Sequence, residues 1–137
     1  MDATISAISS LFHTNDQLFH RALEGIDREH LLQRPHAGSN PLIWIAGHAM
    51  SSRASLTKMV GEAVENPWSE TFKRGATIDS NISYPEIQEI VSLWDGITEK
   101  MMKAVLVLSF ELHSQIAFLR SSFQPTYGRR EGYHNHN

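Results

Sequence analysis

The chain contains no cysteine, which excludes a disulfide framework, thiolate metal sites and a cysteine nucleophile. A basic run is missing as well. The 12 Lys and Arg residues are scattered as far as the Arg129-Arg130 pair, and the formal net charge is -3, so nothing forms an electrostatic footprint for nucleic acid. The longest apolar run, Ala104 to Leu108, is far below the roughly 20 residues of a membrane span. The stretch "MDATISAISSLFHTNDQLFHR" has neither a basic start nor a small-residue cleavage site and does not read as a signal peptide. No nucleic acid, no membrane and a cytoplasmic location are the resulting expectations. Gly-x-Ser-x-Gly, P-loop and dinucleotide fingerprints are absent, as is the period-two alternation of strands.

What is present is helical spacing. At 137 residues and 41% hydrophobic content the chain suits one domain with one core. Ile5, Ile8, Phe12, Phe19 and Leu23 recur on one helical face and predict a first helix from about residue 3 to Gly25. "GIDREHLLQRPHAGSNP" then interrupts the pattern. Asn40 as cap and Pro41 in the first helical position start a second helix that Gly61 stops. Its Trp44, Ile45, Leu56 and Met59 are expected in the core, with Arg53 and Lys58 in solvent. Residues 62–83 keep no period and read as a long connection. Pro85 opens a third helix with an apolar face of Ile87, Ile90, Val91, Leu93, Trp94 and Ile97, favoured by Glu86 and Glu89 in its first turn. The domain is expected to span residues 1–123, followed by a polar tail at 124–137 too poor in apolar residues to order itself.

Chemistry, if any, rests on histidine, of which there are eight. His13 and His20 share a face with Ser9 and Asp16 and read as a solvated stripe. His134 and His136 lie in the polar tail. Asp79 and Asp95 are isolated carboxylates, suited to surface or capping roles. His48 and His113 alone sit among apolar residues at helical spacing, where an imidazole either satisfies a hydrogen bond in a core or ligates a metal. In a helical bundle, inward side chains of facing helices assemble such metal sites.

"NPLIWIAGHAMSSRASLTKMVGE", "NPWSETFKRGA" and "LSFELHSQIAFLR" together resemble the DinB-like (YfiT-like) superfamily of metal-dependent four-helix-bundle proteins, which includes thiol-dependent transferases and isomerases. The resemblance covers residues 1 to about 123. It implies an all-α four-helix bundle and a divalent metal ion, nickel or zinc, which polarises a thiol or water for transfer or hydrolysis at a small-molecule substrate. His48 matches the family's ligand in its "W-I-x-G-H" stretch. The family's last helix carries two histidines four apart, then two residues and a glutamine. Registering on Gln115 puts Leu108 and Leu112 at those positions, whereas registering on "LSF" leaves His113 as a ligand with Ser109 four residues before it. His48 and His113 are therefore the candidate metal ligands of a reduced site. The alternative is a non-catalytic helical scaffold or dimerisation module that has lost the metal.

A turn is also missing. From Gly96 to Phe123 there is no Pro, Asn or Asp, and Lys, Met, Ala, Leu and Glu all favour helix. The third and fourth helices of the family pattern are thus expected to fuse into one helix over about residues 86 to 123, roughly 55 Å long. Such a helix cannot fold its second half back on its first. The expectation is a two-fold homodimer in which each chain donates its carboxy-terminal half-helix to the other's bundle, with a tight break near Ser109 in a monomer as the alternative.

Overall fold

A computed structural model describes residues 3–76 and 81–122. The polar tail, with His134 and His136, and Asp79 lie outside the described residues. Four helices, and no strand among the described residues, make the protein all-α: α1 (Ala3–Leu23), α2 (Arg28–Leu32), α3 (Leu42–Met59) and α4 (Ile87–Ser122).

The helix boundaries follow local chemistry. Gly25 beyond α1 and Gly61 beyond α3 take φ of 72° and 93°, the left-handed region that glycine enters without a Cβ penalty. At Gly61 the chain closes with Gly61 N–H donating to Lys58 O and Glu62 N–H to Thr57 O. α2 lies within the stretch that interrupts the helical pattern. The Asp27 carboxylate accepts from the His30 backbone N–H at 2.9 Å and caps the turn. Asn40 does not cap α3: Pro41 takes that position without a side-chain bond, and Asn40 Oδ1 is buried with no partner. At the start of α4, Glu89 reaches back to the backbone N–H of Glu86 at 2.8 Å, half of a capping box.

α4 packs on both α3 and α1, and α2 packs on α3. Leu31, Ile43, Met50, Phe72, Ile90 and Ile97 are the centre of one apolar cluster. Trp94 organises the junction with α1: its ring stacks on Phe19 at 3.8 Å and its indole N–H donates to Asp16 at 2.8 Å. The Arg53 guanidinium lies 3.7 Å above the Trp94 ring and donates to Thr98 Oγ1 at 2.6 Å. Burial depresses its pKa, opposed by the charge of Asp16.

The expected inward face of α3 is corrected by this packing. Arg53 is 4% exposed, while Ile45, Leu56 and Met59 face outward, Met59 at 81%. Apolar residues surround α3 at Leu42, Ile43, Trp44 and Ile45, so periodicity does not choose its face, and an arginine stacked on an aromatic ring buries more readily than its charge suggests.

The fused helix is observed as the 36-residue α4. Ile90, Trp94, Ile97, Met101, Ala104 and Val105 are buried; from Leu106 to Ser122 every residue is exposed except partly buried Ser109. Nothing among the described residues covers this second half. By length and composition α4 is long and apolar enough to cross a membrane, and little of its most apolar stretch is buried.

Candidate functional site

Trp44, Gly47 and His48 occupy adjacent turns of α3 and together hold the segment that returns over it. Trp44 Nε1 donates to Thr71 O at 3.2 Å. His48 Nδ1 lies 2.7 Å from Phe72 O. Between them Gly47 leaves room for the Phe72 ring: a Cβ at Gly47 would lie 2.4 Å from it. The Trp44 and His48 rings stack, 4.8 Å apart and 8° from parallel. This gives the "W-I-x-G-H" stretch a physical account, in which glycine admits a loop aromatic and the two flanking rings grip the carbonyls beside it.

The consequence falls on His48. A carbonyl only accepts, so Nδ1 must carry the proton, and Nε2 of the neutral ring keeps its lone pair. A ligating or proton-accepting imidazole is fixed in the same way, through its other nitrogen. His48 lines a cavity of about 450 Å³, with Ser51, Ser55, Lys58, Asn66 and Arg74 among the other walls.

His113 is elsewhere. It is exposed on the second half of α4 and borders a shallow hollow with Leu106, Ser109, Phe110 and Ser114. The two hollows share no residue. One chain therefore does not bring His48 and His113 together, and among the described residues no other histidine and no carboxylate lines the His48 cavity.

A second polar group is formed by residues from two distant parts of the sequence. His20 Nε2 lies 2.7 Å from Asp95 Oδ1 and 3.8 Å from Asp16 Oδ1, and the ligand atoms of all three are within 4.8 Å of one another, a spacing compatible with a metal ion. Asp16 and His20 are four apart on α1, the one signal available beforehand; Asp95 joins them only because α4 packs on α1. His20 is thus not simply part of a solvated stripe, nor is Asp95 isolated. His13 is exposed and pairs with Gln17 four residues on. The trio is closed by its own hydrogen bonds and by the Trp94 indole, so its geometry is already explained as a clasp between α1 and α4.

Compared with known proteins, the chain matches no family model, no curated protein and no solved structure.

Proposed function

We propose that this chain is a DinB-like divalent-metal-binding protein whose site is completed by dimerisation, with His48 of one chain and His113 of a second copy as ligands. The observation that carries this reading is the contact of His48 Nδ1 with Phe72 O, which leaves Nε2 for a ligand on a residue that lines a cavity. The donor set tests the fit. His48 suits a nickel or zinc ion, but one chain supplies only that ligand, and serine hydroxyls are poor ligands for such metals.

Dimerisation supplies the rest. The uncovered half of α4, residues 106–122, is about 25 Å long, close to the roughly 27 Å of α3. Ile8, Leu11 and Leu18 of α1, and Ile45, Leu56 and Met59 of α3, are exposed apolar residues against which it can pack. Glu111, His113, Gln115 and Arg120 interrupt its apolar character and would be costly in lipid, which favours protein over membrane as its cover. A bound ion would supply Lewis-acid chemistry toward a thiol or water. The protein's part is to fix the His48 ring through Phe72 O and the Trp44 stack, and to hold a small-molecule substrate in the adjoining cavity.

Calorimetric titration with Ni²⁺ and Zn²⁺ tests this reading. Heat is expected from the wild type and lost from both His48→Ala and His113→Ala; equal, negligible heats for all three would contradict it. The uncovered face of α4 also favours a second reading, a dimerisation module without metal, for which the melting temperature would not respond to either ion.

A further inference from the structure

We infer that the His48 cavity binds a small organic anion, a carboxylate or a phosphate ester, held by Lys58, Lys73 and Arg74 together with the hydrogen-bond donors of Ser51, Ser69 and Asn66. These residues all line the cavity, and among the described residues no Asp or Glu does. The inference concerns the cavity of the metal reading but does not depend on a metal, because every group it uses belongs to one chain.

The direction of the internal hydrogen bonds carries the argument. Asn66 Nδ2 donates to Ser51 Oγ at 2.8 Å, which leaves the Ser51 hydroxyl proton unspent on that contact. Asn66 Oδ1 is already occupied by the Trp68 backbone N–H at 3.0 Å, so its acceptor is used while its amide retains a second proton. Ser52 and Ser55 spend their protons on His48 O and Ser51 O. Ser69 has no side-chain bond among the described residues.

The cavity therefore offers three cations and several unspent N–H and O–H donors, against a single free nitrogen acceptor at His48. A ligand that accepts many hydrogen bonds and donates none is an ionised acid. One cation is partly committed, since Lys73 is paired with Glu70; Lys58 and Arg74 have no ion pair among the described residues. The walls also include Val64 and Phe72, and the volume of about 450 Å³ falls in the range of small-molecule pockets. An anion with an organic body fits such walls better than a bare inorganic ion.

Isothermal titration of the full chain, dialysed against a chelator and held in phosphate-free buffer at constant ionic strength, provides the test. Phenyl phosphate and benzoate are the two acid probes, inorganic phosphate the bodiless one and benzyl alcohol the neutral one. At least one acid should bind about tenfold or more tightly than benzyl alcohol, and the tighter of the two names the acid. The double variant Lys58→Ala/Arg74→Ala should weaken it by about tenfold per lost charge-assisted bond. Lys103→Ala, at a residue that is not among the cavity walls and is paired with Glu99, should leave it unchanged, which controls for the loss of a positive charge outside the cavity. His113→Ala should also leave it unchanged, although that variant removes metal binding, so the two readings fail separately. Folding of each variant is followed by circular dichroism, and Lys58→Arg should retain binding where the alanine variant is unstable. Equal affinity of wild type and the double variant, or no preference for either acid over benzyl alcohol, would overturn the inference.

Discussion

The two halves of α4 are built from similar residues and meet opposite fates. In the first, Ile90, Trp94, Ile97 and Met101 are buried against α1 and α3; in the second, Leu106, Phe110, Leu112, Ile116, Phe118 and Leu119 are all exposed, Phe110 at 76%. Helix propensity and an apolar face are common to both, so neither determines burial. The difference is whether a partner of complementary shape lies within reach of the chain. Fusing the halves removes the only route by which the second could return to its own core, and an exposed apolar surface of this extent is unusual for a monomer.

Trp94→Ala should produce the largest loss, about 3–5 kcal/mol by denaturant melts. It removes the stack on Phe19, leaves Arg53 buried without its ring and frees the Asp16 carboxylate. A loss below about 1 kcal/mol would mean that the first half is no better packed than the second. Next comes Gly47→Ala, since the new methyl group would meet the Phe72 ring, itself fully buried. Overpacking of that kind costs about 1–3 kcal/mol, and disturbing Phe72 should also weaken metal binding at His48.

In the second half the same kind of change should act on assembly instead. Phe110→Ser should alter the unfolding free energy of a dissociated chain by about 0.5 kcal/mol or less, yet shift the monomer–dimer equilibrium toward monomer in light scattering. A large intrinsic destabilisation would show that residues 106–122 are packed within one chain. Vesicle flotation separates the other cover: recovery of the wild type with lipid, and of Phe110→Ser without it, would assign this face to a membrane.

The smallest effect concerns the exposed pair Glu99 and Lys103, just before the halves divide. The Lys103 hydrogen bond and charge lower the Glu99 pKa, and Glu99 in turn raises that of Lys103. The glutamate contribution is thus present above its unfolded pKa and is lost as pH falls through the depressed folded value. The lysine contribution is present below its unfolded pKa and is lost as pH rises through the raised folded value. Amide protection around residues 99–108, corrected for the intrinsic pH dependence of exchange, should therefore be highest between acid and strongly alkaline pH, and Glu99→Gln should abolish the acid limb.

Much of this architecture was legible in residue order. Pro85 before an apolar face, Gly61 after one, and a stretch from Gly96 to Phe123 without a turn residue are local signals, and the helices follow them. What stayed hidden depends on neighbours distant in sequence. Arg53 is buried because Trp94, on another helix, offers its face. Phe72 enters the core from an aperiodic connection because Gly47 makes room. Asp95 meets His20 only after α1 and α4 pack. At the candidate site, the resemblance singled out His48, but the carbonyl that fixes its tautomer belongs to a segment with no pattern of its own. His113 was legible as a histidine in an apolar helix, and its exposure was not, because periodicity reports a face and not what covers it.

The central claim, a metal site shared between two exchanged chains, is tested most directly by mixing two inactive variants. His48→Ala and His113→Ala are each expected to bind no Ni²⁺ alone. Unfolded together and refolded, they form mixed dimers in which one of the two sites regains His48 from one chain and His113 from the other. The account predicts that Ni²⁺ binding returns in the mixture, at up to one site per mixed dimer. Continued absence of binding in the refolded mixture, with the wild type binding under the same conditions, would contradict it.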